Sequence, residues 1–241
     1  FKTLGHDKDL TFKPTLFEKL KKNFKNPKKL VNDGFFEKEK YLLQTEFRKK
    51  NKNSFLIADF GLLRDYKSSI DDKTRNANHI FLDFKGDLEN PNYLNSTFEA
   101  QIERVNNDTY LKVFDSVLLK TPVMPGSQST MNSNLKFNLD QEFQNFSTGF
   151  EIYESLGTKS SDRYQYVLPY YNFSKTLSQN FIGGTIDLSS SGSNDLRNTN
   201  DLKSKNNNDI VFNSPDYLSN LGFKNNFNIN IKNLNSVGKN N

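Results

Sequence analysis

Hydrophobic and polar residues alternate one by one in several runs along this chain. The clearest runs are Tyr41–Arg48, His79–Lys85, Thr97–Arg104, Asn134–Asp140 and Asn226–Lys232. Successive side chains of a β-strand point to opposite faces. Each run therefore predicts a strand with one apolar face and one polar face.

Clusters of turn-forming residues separate these runs. They are Asn51–Ser54, Asp71–Asn78, Glu89–Asn95, Asn106–Asp108, Pro125–Ser133 and Lys159–Asp162. This punctuation predicts strands joined by turns, without long helices and without a parallel sheet. The polar stretch Ser189–Asp209 fits either a flexible loop or polar strands joined by turns.

Run length and aromatic placement favour a barrel wall over a β-sandwich. Some runs reach about 9–11 residues, enough to cross a bilayer when tilted. Tyr41, Tyr110, Tyr153 and Tyr164 lie near expected strand ends, where an interfacial girdle would sit. We expect an all-β fold, an antiparallel meander forming part of a large transmembrane β-barrel. At roughly 10–12 strands it would be a partial, curved open sheet.

Composition agrees with that expectation. Only 34% of the 241 residues are hydrophobic, yet 22 are Phe and 10 are Tyr. Disordered chains are poor in aromatics, whereas a barrel wall needs one apolar and one wet face. The absence of Cys excludes a thiolate nucleophile, a Cys zinc site and a disulfide framework. No run approaches about 18 consecutive apolar residues, so helical spans are not expected.

The charge balance is modestly basic, at +5, and the basic residues concentrate in Lys19–Lys40 and Arg48–Lys52. Such a bias fits nucleic acid, an anionic membrane, an anionic glycolipid or only a solvated surface. Leu16, Leu20 and Phe24 are spaced as on a short amphipathic helix. A solvated turn is favoured, because Pro27 limits a helix. Nucleic acid is not an expected partner, since no recognition motif is present.

Enzyme chemistry is not expected. His6 and His79 are far apart, and neither has the sequence context of a catalytic triad. Zinc-protease spacing and a regular calcium loop are missing. Glu99 and Glu103 share a strand face and could form a glycosidase pair, but polar lining of a lumen is favoured. We therefore predict no catalytic residues, no metal site and no cofactor.

Ordered motifs add a resemblance to a known family. Asp9–Pro14 (DLTFKP), followed by Tyr41–Arg48 (YLLQTEFR), resembles the opening barrel strands of LptD-type lipopolysaccharide-assembly proteins. There, a D-x-T-x-x-P strand precedes one ending in E-[FY]-R. Further similar segments follow in the family's order: Ser54–Phe60, Asn107–Lys112, Ser161–Tyr164, Val167–Pro169 and Ser174–Lys175. One departure is the basic insertion at about residues 17–40, where the family has a short turn.

The resemblance implies a protein of the cell outer membrane of Gram-negative bacteria. Its barrel would receive lipopolysaccharide from a periplasmic bridge protein of the LptA type and insert it into the outer leaflet, in contact with outer-membrane lipid. A plug lipoprotein of the LptE type would occupy the lumen. The chain begins at Phe1 without an initiator Met or signal peptide. We therefore expect residues 1–241 to be one partial barrel domain, lacking an upstream periplasmic jellyroll and the remaining strands.

Pro14 matches a family proline that weakens pairing at a lateral gate for the lipid. Proline donates no ladder hydrogen bond and belongs on edge strands or at bulges. The alternative is a simple strand terminator. For Pro169, which also lies in a strand-like run, a bulge or bend is expected.

The polar strand faces would line a wet lumen. The lumen-facing candidates are Glu46, Arg48, Asp83, Lys85, Glu99, Glu103, Lys136, Asp140 and Lys232. Their mixed sign fits a chamber that handles a zwitterionic or anionic head group beside a plug protein. Two alternatives stay open: a generic porin or receptor barrel, and a soluble β-sandwich that binds carbohydrate.

Overall fold

A computed structural model describes residues 2–5, 7–17, 40–67, 74–158, 161–178, 183–197 and 201–239. These residues form fourteen strands, one short α-helix and one 3-10 turn (Ser161–Arg163). The strands are β1 (Lys2–Gly5), β2 (Lys8–Phe17), β3 (Lys40–Lys50), β4 (Ser54–Lys67), β5 (Thr74–Asp87), β6 (Asn95–Val105), β7 (Thr130–Gln141), β8 (Gln144–Ser155), β9 (Tyr164–Ser178), β10 (Thr185–Arg197), β11 (Asp201–Asn213), β12 (Tyr217–Leu218), β13 (Lys224–Asn225) and β14 (Asn228–Lys239). The helix is α1 (Tyr110–Phe114).

Twelve of the strands form one sheet in the order β1 to β11, followed by β14. Each strand pairs with its neighbour in the chain, except that the separate ribbon β12–β13 comes between β11 and β14. The sheet is not closed, since β1 and β14 lie at its two edges. The predicted all-β antiparallel meander, partial and open, is confirmed. A meander of this kind is the strand arrangement of β-barrel membrane proteins.

Several predicted turn clusters are shorter than expected. β5 begins at Thr74, inside the predicted turn Asp71–Asn78, and β7 begins at Thr130, inside Pro125–Ser133. The polar stretch Ser189–Asp209 contributes to two paired strands, β10 and β11, rather than to one long loop. Asn is a poor strand former on its own, but cross-strand pairing outweighs that local preference.

The chain divides into two compact units. The first contains Phe1–Gly86, Glu99–Asn134 and Tyr153–Arg163, and the second contains Asp87–Phe98, Leu135–Ile152 and Tyr164–Asn241. Because strands β6 to β8 contribute to both, each unit is described by itself below.

In the first unit, an apolar core forms between one face of the sheet and the chain between β6 and β7. We call that chain, Asn106–Ser129, the inner segment. Its core residues include Tyr110, Leu111 and Phe114 of α1, all fully or almost fully buried. A helix of this length is not stable alone, so packing holds it. No helix in the part of the chain that the structure describes is long and apolar enough to span a membrane.

This core corrects one prediction from the sequence. Tyr110 does not lie at a strand end in an interfacial girdle, because it belongs to α1 and is completely buried. The side chain packs at an angle against Phe114, with ring centroids 5.4 Å apart. An alternation pattern cannot reveal a connection that folds back onto the sheet, since that contact is non-local.

In the second unit, the predicted irregularity at Pro169 is confirmed. Tyr170 pairs with Ser193, whereas Val167 pairs with Asp195, so β9 holds one more residue than β10 between these pairs. The extra residue is a β-bulge at Leu168–Pro169. A bulge suits proline, which cannot donate a ladder hydrogen bond.

Candidate functional site: the charged face of the sheet

Strand register brings several of the predicted polar residues of the first unit onto one face. Glu46 lies opposite Asp59, and Ile57 lies opposite both Arg48 and Asp83. We call this the charged face. Its members in β2 to β6 include Lys13, Glu46, Arg48, Asp59, Asp83, Lys85 and Glu99.

Ion pairs tie neighbouring members of the charged face together. The Glu46 carboxylate accepts a hydrogen bond from the Arg48 guanidinium within β3. Between β5 and β6, Lys85 Nζ lies 2.8 Å from Glu99 Oε1. Glu103 lies two residues after Gln101 in β6. Its carboxylate accepts hydrogen bonds from the Gln101 side chain (2.9 Å) and from the Asn132 backbone N–H (2.8 Å).

The opposite surface of the same strands, the apolar face, carries exposed hydrophobic side chains. Tyr41, Leu43, Phe60 and Ile80 are all exposed there. Phe60 lies opposite Thr45 on one side and Ile80 on the other. The exposed apolar side chains therefore lie opposite the charged candidates, whereas the charged face also carries core residues such as Leu42, Leu63 and Phe81.

The remaining candidates lie in the second unit. Asn138, two residues from both Lys136 and Asp140, donates its side-chain amide to Thr97 Oγ1 at 3.1 Å. Asp140 accepts from the Asn95 amide at 3.1 Å. Lys232 lies opposite Asp209, which in turn lies opposite Ser189. Whether these faces enclose a lumen stays a prediction.

A trough of about 440 Å³ runs over this surface of the second unit. Its polar lining is Asn138, Asp140, Asn145, Ser147, Asn172, Ser174, Ser189, Ser190 and Ser191. Amide and hydroxyl groups donate and accept hydrogen bonds without carrying charge. The trough can therefore hydrogen-bond a neutral polar ligand or water, and its one carboxylate has no acidic neighbour among the lining residues.

Polar side chains of the charged face bind the backbone of the inner segment. Lys13 Nζ donates to the Val117 carbonyl at 2.6 Å, and Gln44 Nε2 donates to the same oxygen at 3.2 Å. Gln44 Oε1 accepts from the Leu119 N–H at 2.7 Å. Gln44 is fully buried, so these bonds satisfy groups that would otherwise be costly to bury.

A second set of contacts centres on His79, which the sequence had left without partners. His79 Nε2 lies 3.2 Å from Asp59 Oδ1, and His79 Nδ1 lies 3.1 Å from the Tyr110 hydroxyl. The other Asp59 oxygen accepts from Thr121 Oγ1 at 2.9 Å. A His79 tautomer with the proton on Nε2 satisfies both ring contacts. We call these four residues the His79 clamp.

The His79 clamp is buried throughout. Burial, and to a lesser degree the charge of Asp59, raises the pKa of Tyr110 well above its ordinary value. The phenol therefore remains neutral and can donate to His79. An acid, a base and a hydroxyl in line resemble a catalytic array, but here all the side chains are buried between the sheet and the inner segment. The arrangement fixes the inner segment to the sheet.

Gly61 makes room for the His79 clamp. A Cβ at this position would lie 2.5 Å from His79 Nδ1 and 2.8 Å from the Tyr110 hydroxyl oxygen. Both distances are far below ordinary contact. His79 also stacks on Phe81, with ring centroids 4.5 Å apart, which restricts its freedom to move aside.

The start of the inner segment is held by an ion-pair cluster. Arg163 donates to both oxygens of Asp108, at 2.8 and 3.2 Å, and to Glu154 Oε1 at 2.7 and 2.9 Å. Beside it, the Tyr66 hydroxyl lies 2.8 Å from Thr109 Oγ1. The inner segment is thus fixed at its beginning, along α1 and beyond it.

Pro14 lies inside β2, opposite Leu43 of β3. Because β2 continues to Phe17, the interpretation of Pro14 as a strand terminator is wrong. On its other side, β2 pairs with β1 only from Lys8 to Thr11. Beyond Thr11, this edge has no strand partner among the described residues, which is the setting that tolerates proline. A role as a lateral gate stays a prediction.

One prediction from the sequence falls outside the residues that the structure describes. Leu16, the first residue of the amphipathic spacing, lies in β2 and not in a helix. Residues 18–39, which contain most of the basic insertion, lie outside the described residues, so a helix through Leu20 and Phe24 and the solvated turn both stay open. Within the described part of the chain, no group of three or more His, Cys, Asp or Glu side chains is placed to hold a metal ion.

No protein-family model matches the chain, and no curated protein matches it. The resemblance to LptD-type proteins therefore rests on the ordered motifs alone.

Proposed function

We propose that this chain is a wall segment of a bacterial outer-membrane β-barrel that inserts lipopolysaccharide into the outer leaflet. The charged face would line the lumen, the apolar face would contact lipid, and the edge of β2 around Pro14 would form part of a lateral gate. The main support for this proposal is that the charged candidates and the exposed apolar side chains lie on opposite faces of the sheet. Tyr41 and Phe60 on the apolar face are 57% and 46% exposed.

Energetics support this orientation. A Lys or Arg on the lipid face of a barrel costs about 2–4 kcal/mol at the midplane, while a wet lumen tolerates charge. Glu46, Asp83, Lys85 and Glu99 share the face opposite the exposed aromatics. A soluble β-sandwich would bury these aromatics between two sheets, and contiguous exposure of this kind is unusual for a soluble monomer.

The lengths of the connections also support a barrel. In an antiparallel meander, successive connections lie at alternate ends of the strands. In the first unit, residues 51–53 join β3 to β4 at one end, whereas the longer stretches 18–39 and 106–129 join strands at the other. The second unit does not show this order, because the ribbon 214–227 is longer than the connection 198–200 at the opposite end of the strands. Outer-membrane barrels have short periplasmic turns and longer extracellular loops.

Lipopolysaccharide as substrate is supported by the order of the family-like motifs and by the open edge beside Pro14. A porin is the second candidate, and the inner segment favours it. A connection that folds onto the charged face would narrow a pore, as loops do in other barrels. Both candidates need the same orientation of the two faces, so orientation is tested first.

Orientation is tested by introducing one Lys on each face of adjacent strands. Phe60→Lys places a cation on the apolar face of β4, and the matched control Asp83→Lys places one on the charged face of β5. We expect Phe60→Lys to lose heat-modifiable migration in detergent gels and Asp83→Lys to retain it. Equal damage from both substitutions would contradict the facing.

The substrate is tested by photo-crosslinking in intact cells. A photoreactive residue at position 14 or 85 is expected to form lipopolysaccharide adducts that depend on ongoing transport. Position 60 on the apolar face is the matched control, because its lipid contacts would not depend on transport. Ion conductance in planar bilayers without transport-dependent adducts at positions 14 and 85 would favour the porin and reject lipopolysaccharide assembly.

A further inference from the structure

The ribbon Ser214–Phe227, which contains β12 and β13, exposes more apolar surface than its small size requires. Leu221, Leu218 and Phe223 are 84%, 75% and 66% exposed. The turn between the two strands is ordered by hydrogen bonds. The Ser219 N–H donates to the Phe223 carbonyl at 2.8 Å, and the Gly222 N–H donates to the Ser219 carbonyl at 2.9 Å.

Aromatic packing connects the ribbon to the sheet. The Phe227 ring lies 5.6 Å from Phe212 and stacks on Tyr217 at 6.3 Å, measured between ring centroids. The Phe227 N–H donates to Ser214 Oγ at 2.8 Å, and the Ser214 N–H donates to the Phe227 carbonyl at 3.0 Å. The ribbon therefore has a fixed attachment to the end of β11.

Phe212 belongs to a short apolar patch on one face of three strands. Register places Phe212 between Ile186 and Ile229, and Ile210 between Leu188 and Ile231. The patch is thus only two rows deep along the strands. Two alternate positions span about 7 Å at roughly 3.3 Å per residue.

Beyond these two rows, the same face becomes polar. The next row contains Ser190 and Asn208, and Ser190 Oγ donates to Asn208 Oδ1 at 2.7 Å. Asn208 Nδ2 in turn donates to Asn206 Oδ1 at 2.8 Å. A lipid-facing band in a barrel is about 25 Å tall. On these three strands, the lipid-facing band can extend beyond the patch only toward the end of β11, where the ribbon begins.

Charge on the ribbon agrees with contact to lipid. Its acidic and basic side chains, Asp216 and Lys224, pair with each other at 2.6 Å. The stretch from Tyr217 to Phe223 carries no charge. A neutral tip rich in Leu and aromatics, with a Tyr near its base, is typical of segments buried at a membrane interface.

We propose that the ribbon is a membrane-inserted element whose tip, with Leu218, Leu221 and Phe223, enters the lipid beside β11 and β14. It continues the apolar patch where the strands themselves end. This inference rests on the proposed function, because it requires the apolar patch of these strands to face lipid. Its partner is the bilayer, not a second protein.

Tryptophan fluorescence tests the proposal, since the chain contains no Trp. Four variants of the full chain are compared in phosphatidylcholine vesicles, with and without lipid brominated on its acyl chains. Leu221→Trp probes the ribbon tip, Ile210→Trp probes the apolar patch, and Lys205→Trp probes the opposite, polar surface of β11. Leu221 is so exposed that the substitution leaves folding intact, and Leu218→Trp provides a second probe of the ribbon.

We expect brominated lipid to reduce emission about twofold or more in Leu221→Trp, Leu218→Trp and Ile210→Trp, with little change in Lys205→Trp. Quenching of Ile210→Trp without quenching of either ribbon variant would overturn this proposal and leave the proposed function standing. A ribbon that instead crosslinks to a protein would overturn it in the same way. Absence of quenching at all positions would overturn the proposed function itself.

Discussion

Replacing Gly61 by Ala tests whether the His79 clamp holds the inner segment on the sheet. The added methyl group would meet His79 Nδ1 at 2.5 Å and the Tyr110 hydroxyl oxygen at 2.8 Å. Phe81 stacks against His79, and Tyr110 is completely buried, so neither ring can move without disturbing the core. Overpacking of this kind costs about 1–3 kcal/mol. Loss of the hydrogen bonds to Asp59 or Tyr110 would add about 1–3 kcal/mol.

Hydrogen–deuterium exchange measures this effect locally. We expect amides of the inner segment to exchange faster in Gly61→Ala, by a factor of ten or more for each roughly 1.4 kcal/mol lost from the free energy of local opening. Gly126→Ala is the matched control in the inner segment, because a Cβ there has nothing within 4 Å. Unchanged protection of residues 106–129 in Gly61→Ala, with the sheet still folded, would refute the role assigned to the clamp.

Three further predictions concern the stability of each unit, measured by chemical denaturation in detergent. Arg163→Ala should destabilise the first unit by about 2–3 kcal/mol, because Asp108 and the buried Glu154 lose charge-assisted hydrogen bonds. Lys120→Ala should have no measurable effect, since its pair with Asp115 is exposed. Similar losses of stability in the two variants would contradict the anchoring role of Arg163. Tyr66→Phe should cost about 1 kcal/mol through loss of the Thr109 contact, and an unchanged unfolding midpoint would show that this bond contributes nothing. Gly149→Ala should destabilise the second unit by about 1–3 kcal/mol, because its Cβ would crowd the Leu135 carbonyl and the Tyr170 ring. Gly238→Ala should be neutral, because the nearest atom to its Cβ is 3.9 Å away. A larger loss of stability in Gly238→Ala than in Gly149→Ala would be incompatible with the register.

Local pattern predicted most of the strands because their side-chain period is two. Tyr41–Arg48, Thr97–Arg104 and Asn134–Asp140 each lie inside one observed strand. The boundaries were less predictable. Asn226 and Phe227 fall before β14, since Phe227 packs with Tyr217 and Phe212 instead of joining the ladder.

The partners of individual polar residues were beyond the reach of the sequence. Asp59 and His79 are 20 residues apart, and neither carries a motif. They meet because β4 and β5 pair in a register that places Gly61 opposite His79. Asp59 was read only as part of a strand, and the signal that could have suggested a special position was the glycine in the middle of that strand, two residues after Asp59.

The sequence by itself determined the class of the fold and the chemistry of each strand face, because alternation is a local property of consecutive residues. Only the tertiary structure decided that the inner segment covers part of the charged face, that Pro14 lies on an edge with no strand partner beyond Thr11 among the described residues, and that the ribbon packs through Phe227 on Phe212. Each of these depends on which strands pair, and in what register. Pairing is set by contacts between residues that are distant in the chain, and a local pattern contains no information about such contacts.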